Sequence, residues 1–153
     1  QSLGNEYGAG QAACLNYIGD VYRLKGQPDR AVSFYKEAIS LVEKEPVIIG
    51  LGQFYANTGQ ALYQSGEVEE AERYLKMAGS YLRKNGCIWG LERVEACLAL
   101  LLLEQGNPEQ AREHYRTGRE LSEKIRNPQT QKILGTVGLR LKENQGKTEE
   151  KEA

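Results

Sequence analysis

The stretch LYQSGEVEEAERYLKMA, Leu62–Ala78, ends one helical pattern, turns at a glycine and begins a second pattern. Closely similar stretches occur upstream, as VYRLKGQPDRAVSFYKEA from residue 21, and downstream, as LLLEQGNPEQAREHYRTG from residue 101. The turn glycines recur at an interval of 40 residues, at Gly26, Gly66, Gly106 and Gly146. Self-similarity at a fixed period of this size indicates an array of structural repeats.

Each repeat is predicted to be a pair of helices. Before the first turn glycine, apolar residues recur at helical spacing, as at Leu15, Ile18 and Tyr22. Glycine suits the end of a helix because it adopts a left-handed conformation without a steric penalty. Small residues after the turn let two antiparallel helices approach closely. One face of the second helix is therefore predicted to be buried, formed in the first repeat by Ala31, Tyr35, Ala38 and Leu41.

The pattern predicts an all-α fold of about seven helices, with three full repeats and a partial fourth. The helices are expected near 6–25, 28–44, 47–65, 68–85, 87–105, 108–125 and 128–144. Residues 1–146 are predicted to form a single repeat domain whose last turn is at Gly146. Residues 147–153 are strongly charged and are predicted to form a frayed tail. Because the chain starts at Gln1 and its only methionine is Met77, we expect it to be a segment of a longer protein.

Composition narrows the classes of partner. Lys plus Arg total 20 and Asp plus Glu total 21, so the net charge of -1 argues against nucleic-acid binding. The three cysteines show no CxxC spacing, which favours free thiols and a cytoplasmic protein. The longest apolar run, residues 97–103, is far shorter than the roughly 20 residues needed to cross a membrane. We therefore expect no membrane association.

The motif resembles the tetratricopeptide repeat. The first repeat supplies the family pattern as Ile18, Gly19, Tyr22, Gly26, Ala31, Tyr35 and Ala38, and the second as Gly59, Leu62, Gly66, Ala71, Leu75 and Ala78. The third is looser, with Ala99, Leu102 and Gly118 at three of these positions. The 40-residue period is similar to the longer-helix variety found in MalT-type regulators, quorum-peptide sensors, kinesin light chain and polarity adaptors. The resemblance implies a right-handed α-α superhelix that binds proteins or peptides rather than a catalyst.

The resemblance also implies which side chains line a concave partner-binding groove. They are Asn16, Asp20, Arg23, Asn57, Gln60, Tyr63, Arg93, Leu100, Leu103 and Val137. Leu100 and Leu103 have two other interpretations, because a helix that is apolar all round is often buried. A neighbouring domain of the full-length protein could cover them, or a second copy of the chain could pack on them as a homodimer.

Three function classes remain open at this stage. The first is a scaffold that binds a protein or peptide, and the second is a sensory segment of a multidomain transcriptional regulator or signalling ATPase. The third is a self-association module. One subtype of the family, the clamp for a chaperone's C-terminal carboxylate, is disfavoured. Asn16, Asp20 and Cys97 stand where that clamp has Lys, Asn and Arg, and an acid in a carboxylate clamp is repulsive.

No catalytic, metal or cofactor site is predicted. His114 is the only histidine, so a histidine-based metal site cannot be assembled within the chain. The sequence GKTEE at Gly146 shares letters with a phosphate-binding loop but lacks the upstream glycine and strand. We therefore expect no enzyme activity.

Overall fold

A computed structural model describes residues 2–44 and 50–153, and over these residues the protein has seven α-helices and no strand. The helices are α1 (Ser2–Leu24), α2 (Pro28–Val42), α3 (Leu51–Gln64), α4 (Val68–Lys84), α5 (Leu91–Glu104), α6 (Pro108–Lys124) and α7 (Pro128–Glu152). The predicted all-α repeat fold is confirmed. None of the helices in the described ranges is long and apolar enough to cross a membrane.

The first three turn glycines end their helices with the same hydrogen-bonded motif. Gly26, Gly66 and Gly106 have positive φ angles of 76°, 83° and 80°. At the first turn, the Gln27 backbone N–H donates to the Tyr22 carbonyl over 2.9 Å, and the Gly26 N–H donates to the Arg23 carbonyl over 3.1 Å. The other two turns repeat both bonds 40 and 80 residues later. This pair of bonds satisfies carbonyls at the helix end and turns the chain into the next helix.

The fourth glycine of the series behaves differently, and the predicted turn at Gly146 and the predicted frayed tail are wrong. Helix α7 continues through Gly146 as far as Glu152. A glycine inside a helix costs only about 1 kcal/mol relative to alanine. A reversal is favoured when the next helix can bury an apolar face, but residues 147–152 offer only charged side chains and Thr148. The chain therefore remains helical, and Gln145 Nε2 donates to Glu149 Oε1 one turn further on.

The predicted starts of α1 and α5 also differ from the structure, since α1 begins at Ser2 rather than near residue 6. Helix α5 begins at Leu91 rather than at residue 87, because Gly90 before it takes a left-handed conformation with φ 87°. Helix α3 begins at Leu51 after Gly50, whose φ is 102°. The predicted start of that helix, at residue 47, lies outside the described residues.

The chain divides into two compact units, Gln1–Asn85 and Gly86–Ala153. The first unit contains two hairpins, α1 with α2 and α3 with α4, and α2 also packs against α3. Ala31, Tyr35 and Ala38 on α2 are buried as predicted, but Leu41 is 39% exposed and Val42 is buried in its place. Val42 lies four residues after Ala38 and points to the same side of α2 as the other buried residues. Leu41 lies three residues after Ala38 and points away from that side.

Close helix approach in the first unit depends on glycine. An added Cβ at Gly59 of α3 would lie 2.7 Å from Leu75 Cγ and 3.1 Å from the Leu75 backbone nitrogen on α4. The equivalent Gly19 of α1 would bring a Cβ to 2.5 Å from the Tyr35 ring on α2. Both distances are shorter than van der Waals contact allows. In both hairpins, therefore, the two helices approach each other closely at a glycine, and these two glycines are 40 residues apart.

The second unit contains the hairpin of α5 with α6, and α7 packs on both helices. Its core includes Ala99 and Leu102 from α5, Ala111 from α6, and Val137 and Leu141 from α7. Gly118 stands where the first two repeats have alanine, and a Cβ there would come within 3.2 Å of Leu134. Helix α7 thus covers the side of the last hairpin that would otherwise expose its core.

Candidate functional site

A pair of asparagine side chains joins the first helices of the two hairpins in the first unit. Asn57 Nδ2 on α3 donates to Asn16 Oδ1 on α1 over 2.9 Å. The two residues are only 7% and 8% exposed. Each carboxamide carries two donor hydrogens and an acceptor oxygen. This single bond therefore leaves three donor hydrogens and the Asn57 oxygen without a bond to the described residues. Amides with spare donors and acceptors match the alternating N–H and C=O groups of a peptide backbone.

One and two helical turns beyond Asn16, charged side chains extend the same face of α1. Asp20 Oδ1 accepts a 2.6 Å hydrogen bond from the Tyr35 hydroxyl of α2. Burial and the neighbouring Asp20 raise the pKa of Tyr35 well above its ordinary value, so the phenol stays neutral. Arg23 faces the same tyrosine, and its Nε atom is buried without a hydrogen-bond partner among the described residues. Because Nε is enclosed by the protein it is not open to a ligand, but Arg23 as a whole is only half-buried, so this face of α1 carries a positive charge.

On α3, Gln60 and Tyr63 continue from Asn57 at helical spacing. Gln60 is 7% exposed and Tyr63 is half-buried. Six of the predicted site residues, Asn16, Asp20, Arg23, Asn57, Gln60 and Tyr63, therefore lie on α1 and α3 of one unit. We call this set the α1/α3 surface. It is rich in hydrogen-bonding groups and carries one cation and one anion.

The other four predicted residues lie in the second unit. Arg93, Leu100 and Leu103 are half-buried on α5, and the two leucines pack against the core of that unit. Val137 is 0% exposed and belongs to that core, so it is not available to line a groove. Its burial follows from the position of α7, which turns Val137 toward the alanines of the last hairpin.

Two carboxylates that were not predicted from the sequence are buried inside the second unit. Glu92 and Glu95 on α5 are 2% and 1% exposed. Glu92 Oε2 accepts from the Gly90 backbone N–H over 2.9 Å, at the start of the helix. Glu95 Oε2 contacts His114 Nδ1 of α6 over 2.5 Å. His114 is partly buried on α6. The sequence signal for this contact was Glu95, an acid within an otherwise apolar stretch of α5.

These acidic residues do not build a metal site. Within residues 2–44 and 50–153, no group of three or more His, Cys, Asp or Glu side chains is placed to hold a metal ion. Glu92 and Glu95 each have a structural partner. Their positions fit a role in packing the α5/α6 hairpin.

A cleft of about 420 Å³ between α6 and α7 is a second surface that the sequence reading missed. Gly138 allows Tyr115 to sit close to α7, because a Cβ at that position would lie 2.7 Å from the tyrosine hydroxyl. The charged lining combines Arg112, Arg116, Arg119 and Lys142 with Glu120 and Glu123. Much of the positive charge is therefore balanced locally, and the guanidinium of Arg119 also lies over the Tyr115 ring.

Two segments of the chain match models of the tetratricopeptide repeat, over residues 11–45 and residues 93–117. A comparison with curated proteins gave no significant match. The fold is similar to that of a tetratricopeptide-repeat-like protein from Chlorobium tepidum, with a TM-score of 0.79 and 16% identity, over 92% of this chain and 98% of that one. The tetratricopeptide repeat domain of Arabidopsis FLU gives 0.69 and 20%, over 76% of this chain and 98% of that one.

The TPR2AB domain of yeast Sti1, solved in a complex with pHSP90, gives a TM-score of 0.67 and 19% identity. The match covers 90% of this chain but only 50% of the Sti1 chain. This chain therefore spans about half the length of that relative.

Proposed function

We propose that this chain, two segments of which match the tetratricopeptide repeat, is a tetratricopeptide repeat protein whose first unit binds an extended segment of a partner protein along the α1/α3 surface. The observation that carries the proposal is the hydrogen bond between Asn16 and Asn57. It fixes two adjacent carboxamides on neighbouring helices while leaving donors and an acceptor unused by the described residues.

The chemistry of the surface favours a peptide backbone as the ligand. A backbone offers one N–H and one C=O at each residue, and a carboxamide can pair with both groups. Because packing and hydrogen bonds already hold Asn57 and Asp20 in place, binding costs less conformational entropy than it would on a flexible loop. Arg23, which is half-buried, adds a cation at one end of the surface.

The charges also indicate which peptides should bind poorly. Asp20 lies next to Arg23 on the same face, so a segment with clustered acidic residues would meet a carboxylate as well as a guanidinium. The Sti1 relative is described in a complex with pHSP90. The chaperone-tail clamp of the family requires a Lys and an Asn where this chain has Asn16 and Asp20. We therefore propose a segment of low net charge, not a chaperone tail.

The experiment is a selection from a displayed random-peptide library against the immobilised full chain. Affinities of the selected peptides are then measured by fluorescence anisotropy for wild type and two variants. Asn57→Ala removes the amide on α3, and Gln64→Ala removes an exposed amide at the end of the same helix as a matched control. We expect a loss of about tenfold or more for Asn57→Ala and little change for Gln64→Ala.

Circular dichroism of each variant separates lost binding from lost folding. If selected peptides bind both variants as well as wild type, with the fold intact, the α1/α3 surface is not the binding site. If no peptide is selected above background by the folded chain, recognition of an extended segment is wrong.

A further inference from the structure

Helix α1 carries an uncovered apolar stripe on a face other than the one that holds Asn16. Tyr7, Tyr17, Val21 and Leu24 are 76%, 68%, 50% and 68% exposed. Cys14 is also exposed on this face. Residues 7, 14, 17, 21 and 24 are separated by seven, three, four and three positions. This spacing places their side chains along one face of a helix. The stripe is therefore continuous along α1.

The repeat itself shows what this face normally does. A shift of 40 residues places Cys14, Tyr17 and Val21 of the stripe at the positions of Phe54, Asn57 and Ala61 of α3. These three α3 residues are 8%, 7% and 0% exposed, whereas Gln64, at the position of Leu24, is exposed. Ala61 belongs to the cluster formed by Ala31 and Tyr35 of α2, which packs against α3. The face is thus the one on which these helices accept a neighbouring helix, and on α1 it has none within the described residues.

The stripe is complementary to a second copy of itself in the antiparallel direction. A two-fold axis between residues 14 and 17 places Tyr17 of one copy opposite Cys14 of the other, and Val21 opposite Gly10. It also places Tyr7 opposite Leu24. At the first two of these pairs a larger side chain meets a smaller one, which is the pairing that close packing favours, and the third pair brings two large apolar side chains together at each end. No charged residue lies between Tyr7 and Gly19, so the pairing buries no unmatched charge in that stretch.

We propose that α1 is a homodimer interface in which two copies pack antiparallel along this stripe. The exposed fractions of the two tyrosines, Val21 and Leu24, together with Ile18 beside the stripe, offer about 500 Å² of apolar surface per copy, or roughly 1,000 Å² in total, near the lower bound for a specific interface. The second copy is favoured over an unrelated partner because the stripe is self-complementary. An area of this size predicts a dimer that dissociates on dilution.

The test is the solution mass of the full chain across a dilution series, by analytical ultracentrifugation or light scattering. We expect wild type to approach twice 17.1 kDa at high concentration and to fall toward 17.1 kDa on dilution. Val21→Glu places a charge within the stripe, opposite Gly10 of the other copy, and should remain monomeric. Tyr17→Ala should raise the dissociation constant by about tenfold or more.

Leu139→Glu is the matched control, because Leu139 is a 65% exposed leucine on α7 and lies outside the stripe. This variant should dimerise as wild type does. Because Val21 and Tyr17 are exposed in the single chain, their substitution should leave the helical circular dichroism signal unchanged. A wild-type chain that stays at 17.1 kDa throughout would overturn the proposal and leave the stripe to a helix of another protein or segment. A dimer that survives Val21→Glu would also overturn it.

Discussion

Replacing Gly59 with alanine tests the close approach of helices on which each repeat depends. In an exposed helix, glycine to alanine stabilises by about 1 kcal/mol through helix propensity. At Gly59 the new Cβ would lie 2.7 Å from Leu75 Cγ and 3.1 Å from the Leu75 backbone nitrogen. The leucine side chain can rotate away, but the backbone nitrogen moves only if α3 and α4 separate. Overpacking of this kind costs about 1–3 kcal/mol, and the backbone contact places Gly59 at or above the upper end.

The net expectation for Gly59→Ala is a loss of about 2 kcal/mol or more in the free energy of unfolding, after the propensity gain is subtracted. Gly135→Ala is the matched control, because Gly135 is also inside a helix and nothing lies within 4 Å of its added Cβ. That variant should gain up to about 1 kcal/mol. Thermal unfolding followed by circular dichroism should therefore lower the midpoint for Gly59→Ala and raise it for Gly135→Ala. An unfolding midpoint for Gly59→Ala at or above that of wild type would refute the close packing of α3 on α4.

Three further predictions concern other parts of the chain. Asn16→Ala and Asn57→Ala should each cost about 1–3 kcal/mol, because each leaves the other amide buried without its partner. The double variant should cost less than the sum, and strict additivity in urea unfolding would contradict the bond. Folding raises the pKa of Tyr35, so the contribution of this residue to the free energy of unfolding should be constant below about pH 10 and fall as the pH rises above it. Tyr35→Phe should reduce this loss of stability at alkaline pH. If the stability of the variant falls as steeply as that of wild type, Tyr35 does not contribute to the loss. Gly146→Ala should increase the helical circular dichroism signal and stabilise α7 by up to about 1 kcal/mol, whereas a decrease would indicate a turn at that residue.

The repeat fold could be predicted because its determinants are local and recur at one interval. The turn glycines need a left-handed conformation wherever another helix follows, and Ala31 and Ala71 need to be small wherever two helices approach closely. Gly146 shows the limit of this reasoning. The residue type matches the series, but a turn also depends on what the following residues can bury, and residues 147–152 have little to bury.

The site was less predictable, because it depends on contacts between repeats. Asn16 and Asn57 are 41 residues apart, one more than the period, so the interval alone does not predict that they meet. Their bond arises from the way that α1 and α3 lie side by side. The burial of Val137 and the contact of His114 with Glu95 have the same origin, since both depend on how helices pack in the second unit. A single sequence shows the face of a helix but not the neighbour that this face meets.

The most direct test of the central claim is side-chain amide NMR of the full chain titrated with a selected peptide. The claim is that the paired carboxamides on α1 and α3 contact the ligand. We predict that the Nδ2 resonances of Asn16 and Asn57 shift on binding, while that of Asn85, exposed at the end of α4, stays in place. Saturable binding that shifts neither Asn16 nor Asn57 would contradict the claim.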